Sequence, residues 1–288
     1  MQKPADQPAL AELRAEIDRI DEAMHRLLME RGEIIDRLIA TKRSQETGSA
    51  FRPAREAEMM QRLVERHKGI LPLDTAESIW RVIISTFTYV QAPFSVHADL
   101  SAGEPAMRDS ARFHFGFTVP FVPHMGAAGA VAAVSASKGD LGLVPAQMLQ
   151  GANAWWNALE FDAAPKIIAR LPFVERDDHP AALPVFVISR VAADAMASGT
   201  QVWSLRVTGW TAKAAQALPA GVEFLATPDE ASAGAALLVS LPENRTLDAV
   251  KAALVKAGAT VKSAALVGSH ARRYTVAADG RRAASHAR

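Results

Sequence analysis

Between residues 10 and 42 the apolar residues Leu10, Leu13, Ile17, Ile20, Met24, Leu27, Ile34 and Leu38 recur alternately three and four apart. This is the seam of a long helix packed lengthwise against partner helices. The step from Leu27 to Ile34 calls for another apolar residue at position 31, and Arg31 stands there. A guanidinium on a buried seam costs several kcal/mol unless an anion meets it. That anion is either an acidic small molecule held between helices or a carboxylate of the chain, such as Glu30 or Glu33.

Lys42 follows Arg31 by eleven residues, so on a helix it shares nearly the same face, about 16 Å along the axis. Two long cationic side chains at that spacing can close on one small ligand from either side. Arg14 precedes Arg31 by seventeen residues, about 25 Å along the axis and about 100° round it. It fits most simply into the site of a neighbouring chain in an antiparallel pair, and a two-fold dimer makes that exchange reciprocal. Arg55 and Glu56 are adjacent and project about 100° apart, one suited to a carboxylate and the other to a hydroxyl. Gln91 continues the stripe of Trp80, Ile84 and Phe87 and can donate to a ligand oxygen without titrating. Each residue alone also reads as an ordinary helix charge, first-turn charge or polar helix end. One pocket for an acidic small molecule accounts for all six together.

Three helices must position these residues. The first runs from about residue 8 to 45, where Glu46-Thr47-Gly48-Ser49 breaks it. The second covers 53–67, with Pro53 in its first turn and Gly69 past its end. The third covers 74–91, with Asp74 as N-cap, Glu77 three residues on, and Pro93 beyond. Residues 1–95 therefore read as an all-helical domain, and 96–111, holding Gly103 and Pro105, as a linker. From 112 to 192 short strands alternate with helix, with strands expected at 113–119, 141–144, 167–171 and 185–188 and a helix at 126–137. From 200 to 277 the order is strand 202–207, helix 211–218, strands 222–225 and 235–241, helix 247–257 and strand 260–267, with Thr246 and Gly258 as caps. This βαββαβ order is ferredoxin-like, and residues 278–288 read as a mobile basic tail. The fold class is multidomain: an all-α three-helix part, then α/β and ferredoxin-like α+β parts.

Bulk properties narrow the chemistry. Among 288 residues, 32 Lys and Arg face 31 Asp and Glu, net +1, so electrostatic function must be local. No cysteine is present, which excludes disulfides and thiolate chemistry and fits a reducing cytoplasm. The N-terminus lacks an apolar signal core, and the richest apolar stretch, 126–136, is too short for a bilayer. The expectation is a cytoplasmic protein with no membrane partner. His114 and His124 have no second ligand at metal spacing, so no metal is expected. The arginines at 272, 273, 281, 282 and 288 lack interleaved aromatics, so neither is a nucleic acid.

The segments Leu13-Arg14-Ala15-Glu16-Ile17-Asp18-Arg19-Ile20-Asp21, Leu28-Met29-Glu30-Arg31, Ala40-Thr41-Lys42 and Phe51-Arg52-Pro53-Ala54-Arg55-Glu56 together resemble the all-helical, type II chorismate mutases. The resemblance spans about residues 8–92. It implies an intertwined homodimer with shared active sites, converting the dianion chorismate to prephenate without a cofactor. It implies that Arg14 from the partner chain, Arg31 and Arg55 hold the two carboxylates. Lys42 and Gln91 would meet the ether oxygen, and Glu56 the ring hydroxyl. This sequence departs from the pattern at Arg52, where many relatives have aspartate, and at Phe87, where a small or polar residue is common. Some relatives have glutamate at the Gln91 position, so Gln91 implies activity without acid pH.

Further along, Gly139-Asp140-Leu141-Gly142-Leu143-Val144-Pro145 resembles the prephenate dehydratase segment in which a strand ends in a Val-Pro turn. No Gly-Thr-Phe-Ser or Thr-Arg-Phe segment accompanies it, and Leu183-Pro184-Val185-Phe186 stands about where the latter belongs. The third unit has the order of an ACT module without its Gly-Ala-Leu and Glu-Ser-Arg-Pro motifs. The expectation is a chorismate mutase with a degenerate C-terminal extension. The alternatives are a bifunctional mutase–dehydratase, a non-catalytic ligand-sensing or partner-binding protein, and an isochorismate pyruvate lyase on the same helical fold.

Overall fold

A computed structural model of the chain describes residues 10–42, 50–149, 153–190, 199–229 and 234–276. The helix break at 46–49 and the basic tail at 278–288 lie outside the described residues. The chain divides into two compact units, residues 1–47 and 48–288.

The first unit is described by α1 (Leu10–Lys42), 33 residues without interruption and so about 50 Å long. Its seam is open to solvent: Leu10, Ile17, Met24, Leu27 and Ile34 are each more than half exposed. Away from the seam Arg26 and Glu30 form an i,i+4 pair at 3.8 Å, a spacing that supports an isolated helix only weakly.

In the second unit, α2 (Pro53–Arg66) starts with proline in its first turn and buries Met60, Leu63 and Val64. The third helix, α3 (Leu73–Gln91), follows Pro72 at the N-cap position. Asp74, expected as the cap, lies inside the first turn and complements the dipole there. Its buried stripe is unusual, because Glu77 and Arg81 sit among Ala76, Ile84, Ser85 and Thr88.

The expected linker 96–111 is instead ordered. It contains β1 (Val96–Asp99), a 3-10 turn (Leu100–Ala102) and most of α4 (Glu104–Phe115). Gly103 and Pro105 were read as linker composition, yet Pro105 occupies the helix's first turn and so marks its start. The helix buries Met107, Ser110, Ala111, His114 and Phe115 at helical spacing. The strand expected at 113–119 is likewise corrected. Its alternating aromatics belong to the end of α4, closed by Gly116 at φ +67°. The strand comes later, as β2 (Phe121–His124), whose Pro123 is tolerated because β2 forms a sheet edge.

After β2 come α5 (Ala127–Ala136), β3 (Leu141–Pro145), β4 (Lys166–Leu171), β5 (Val174–Glu175) and β6 (Val185–Ser189). Strand β1 pairs in parallel with both β2 and β3, whereas β6 is antiparallel to β3 and β4. The last elements are β7 (Thr200–Thr208), α6 (Ala212–Gln216), β8 (Glu223–Asp229), β9 (Gly234–Leu241), α7 (Leu247–Lys256), β10 (Thr260–His270) and β11 (Tyr274–Thr275). All six elements expected from 202 to 267 are present. The Thr246 hydroxyl accepts from the Ala249 N–H at 3.2 Å to cap α7.

Nine strands form one sheet in the order β2-β1-β3-β6-β4-β10-β7-β9-β8. The α/β and ferredoxin-like segments are therefore continuous through the β10–β4 edge, where Gly268 pairs with Ile167. Glycine is required at that seam: φ is +153°, and a Cβ would lie 2.1 Å from the Ile167 carbonyl oxygen. Nor do α2 and α3 end a separate domain at residue 95. Phe51, Met60, Leu63, Val64 and Ile84 share one core with Val96, Met107, Leu141 and Val174. The amphipathic faces of the two helices are completed by the sheet.

Candidate active site

The two units each hold part of the charged constellation. On α1, Arg14 is exposed and Arg31 half-buried, and a straight helix puts about 25 Å between them along its axis. Lys42 ends the helix, and its side chain lies outside the described residues.

In the second unit Arg55 is exposed in the first turn of α2, while Glu56 beside it is only 4% exposed. The Arg81 Nη1 donates to Glu56 Oε2 at 2.7 Å, and Nη2 donates to the His114 carbonyl at 3.1 Å. Burial raises the pKa of Glu56, opposed by Arg81 and by a backbone hydrogen bond from Arg52 at the helix start. Gln91 is half-buried at the end of α3, its Nε2 donating to the Phe87 carbonyl at 3.0 Å.

Sequence reasoning missed the partners around this pair. Arg176 Nη1 donates to Glu77 Oε2 at 2.8 Å, and His179 Nε2 lies 3.4 Å from Oε1. His114 stacks on His179 with ring centroids 6.0 Å apart, and neither of its nitrogens has a partner. Burial, then Arg81 and His179, hold its pKa well below the ordinary histidine value. A signal existed. Glu77 and Arg81 are four apart on the stripe of Ala76, Ile84 and Thr88, as anomalous there as Arg31 is on its seam.

A second polar chain lies under α5. His97 Nδ1 and His124 Nε2 are 2.9 Å apart, and Asp140 Oδ2 is 3.3 Å from His97 Nε2. Burial lowers the pKa of His124, as does His97, against an opposing pull from Asp99. Beyond the carboxyl ends of β1 and β3 opens a cavity of about 310 Å³, lined by Asp99, Ser101, Gly126, Gln147, Asn153 and Trp155 among others. Crevices outside the carboxyl ends of parallel strands are the usual ligand positions in such sheets. Among the described residues no cluster of three or more His, Asp or Glu could hold a metal ion.

Residues 13–92 match the family model described as chorismate mutase type II. The N-terminal part of this chain is a type II chorismate mutase domain, and a mixed α/β region follows it. Among curated proteins the chain is similar to a bifunctional chorismate mutase/prephenate dehydratase of Aquifex aeolicus (strain VF5). The two are 31% identical over 142 residues, 48% of this chain and 39% of that protein, so the chain spans well under half the length of that relative. Two solved structures are also similar. One is GqqA, described as a novel type of quorum quenching acylases, with 14% identity and a TM-score of 0.41, covering 62% of this chain and 95% of that one. The other is a prephenate dehydratase from Arthrobacter aurescens in complex with L-Phe, with 12% identity and a TM-score of 0.40, covering 67% and 93%.

Proposed function

We propose that this protein is a chorismate mutase, an isomerase that rearranges chorismate to prephenate in aromatic amino-acid biosynthesis. One observation carries the reading: the family match covers 13–92, a span that includes Arg14, Arg31, Lys42, Arg55, Glu56 and Gln91. The reaction is a unimolecular [3,3] rearrangement and needs no nucleophile, metal or proton transfer. The site must hold the compact reactive conformer and stabilise negative charge growing on the ether oxygen. In this reading Arg31, Arg55 and Arg14 of the partner subunit hold the two carboxylates. Lys42 and Gln91 donate to the ether oxygen, and Glu56 accepts from the ring hydroxyl. An acceleration on the order of 10⁶ corresponds to about 8 kcal/mol, within reach of a few preorganised charge-assisted hydrogen bonds.

The pocket is shared in a homodimer. Support for this comes from the exposed apolar seam of α1, a surface that a second long helix would cover. No described helix is long and apolar enough to cross a membrane, and a cytoplasmic location suits the proposed pathway. Chorismate turnover by the wild type and by Arg31→Ala tests the reading. The variant is expected to lose about a hundredfold or more in kcat/KM, and a loss below about fivefold would refute the role given to Arg31.

A second reading adds prephenate dehydration. It is favoured by the cavity at the carboxyl ends of β1 and β3 and by the name of the curated relative. Phenylpyruvate appearing from prephenate would establish it, and prephenate left unchanged would remove it.

A further inference from the structure

The family match ends at residue 92, yet the surroundings of Glu56 do not. Arg81, itself closed to solvent, touches three elements at once. Its Nη1 bonds the Glu56 carboxylate from α2, and its Nη2 bonds the His114 carbonyl in α4. Its guanidinium carbon also stands 5.1 Å from the centroid of Phe173, between β4 and β5. Two of these three anchors lie beyond the matched segment. A planar fork with fixed donor directions suits this bridging, whereas a lysine ammonium offers one flexible point charge.

We propose that Arg81 is a positioning residue for Glu56, and that the α/β body thereby forms part of the mutase machinery. Glu56 is the group assigned to the substrate's ring hydroxyl, so the inference rests on the mutase reading. The α/β body holds the guanidinium, the guanidinium holds Oε2, and the Arg52 N–H at the start of α2 also bonds the carboxylate. One oxygen of the carboxylate, Oε2, is thereby fixed in direction. Arg81 also keeps that carboxylate ionised against the burial that raises its pKa.

A structural ion pair alone would contribute to stability and leave the pH profile of turnover where it was. A positioning role moves that profile. The other ionisable groups around the pair are His114 on α4, Glu77 on α3, and Arg176 and His179 after β5. Burial, with Arg81 and His179, lowers the pKa of His114 and so favours its neutral form, and comparison with Glu56→Gln shows which part of the acid limb belongs to Glu56.

The experiment measures kcat and KM for chorismate against pH in the full-length wild type, Arg81→Met, Arg81→Lys and Glu56→Gln, with thermal unfolding of each. In Arg81→Met the acid limb is expected to move up by about one pH unit, with kcat falling by up to about tenfold on the acid side of the limb and KM changing less than about threefold. Arg81→Lys keeps a cation and is expected to recover about half of that displacement. Glu56→Gln is expected to lack the limb. The inference is overturned if Arg81→Met keeps the wild-type limb and kcat while Glu56→Gln is impaired. If Arg81→Met shows no cooperative unfolding, Arg81→Lys decides: a displaced limb supports the inference and a wild-type profile overturns it. Wild type that leaves chorismate unconverted would instead sink the mutase reading, and this inference with it, whereas Glu56→Gln that matches an active wild type would overturn this inference alone.

Discussion

Arg176 and Glu77 meet at 2.8 Å across 99 positions of sequence, with side chains 4% and 0% exposed. The bond ties α3, inside the family-matched segment, to the loop after β5. Two other residues approach the pair. His179 stands by the second carboxylate oxygen, and the largely exposed Asp178 lies 3.6 Å from Arg176 Nε. Breaking a buried pair from one side leaves an uncompensated charge, so Glu77→Ala is expected to cost about 3 kcal/mol, at the low end for such pairs because Asp178 remains. The double variant Glu77→Gln/Arg176→Met removes both charges and is expected to recover most of that loss. Urea midpoints measure both, and a single variant within about 1 kcal/mol of wild type would contradict the burial of the pair.

The helices α2 and α3 rest on the sheet, so a fragment ending at residue 95 is expected to fold poorly by itself. It would expose Met60, Leu63, Val64 and Ile84, which the full chain buries. At about 1.5–3 kcal/mol each, these four amount to about 6–12 kcal/mol, comparable with the whole stability of a small domain. The fragment should lack a cooperative thermal transition and bind a hydrophobic dye. Cooperative unfolding with full chorismate turnover by the fragment would show that the shared core is dispensable.

What could be read from the sequence follows the range of the interactions concerned. The ferredoxin-like elements were legible because period-two apolar runs and a threonine cap such as Thr246 are local signals. Helix α4 was not, since Gly103-Glu104-Pro105 has the composition of a linker and the alternating aromatics from Phe113 to Phe117 imitate a strand. Arg31 stood out because it interrupts a regular seam. Arg81 interrupts its stripe too, but its partners, Glu56 and His114, are hidden because they lie 25 and 33 residues away and meet it only after the helices dock. The same limit puts a domain boundary at residue 95, just past Pro93, where the core has no gap.

Acid should weaken the fold through buried neutral histidines. His270 is 2% exposed, its Nδ1 donates to the Ala271 carbonyl at 2.9 Å, and its Nε2 has no partner. Burial is the main cause lowering its pKa to about 4. The unfolded chain takes up this proton near pH 6.5 and the folded chain only near 4, so the unfolded state binds more protons between those values. Stability therefore rises with pH across this window and is lost as pH falls through it, by at most about 1.4 kcal/mol per pH unit. Glu56, with its raised pKa, acts in the opposite sense from 4.5 upward but is common to wild type and variant. His270→Phe is expected to flatten the curve, changing the difference from wild type by about 2 kcal/mol between pH 6.5 and 4.5. Parallel curves in guanidinium titrations would show that the imidazole is not buried neutral.

The seam of α1 gives the sharpest test of the proposed two-chain pocket. Ten large apolar side chains of this helix are at least about a third exposed, Met24 among them at 52%. A soluble protein rarely leaves a continuous apolar stripe of this length open to water. A glutamate at Met24 would place two carboxylates in the apolar interface of a dimer, where desolvation and mutual repulsion both oppose association. Arg19→Ala, off the seam, serves as the control and should leave assembly unchanged. Sedimentation velocity at micromolar concentration should show the wild type and the control as two-chain species and Met24→Glu as a single chain. Because Arg14 is assigned to the neighbouring pocket, turnover should fall together with assembly, by about a hundredfold or more. A Met24→Glu protein that sediments as one chain yet converts chorismate at the wild-type rate would place every residue of the pocket on a single protomer.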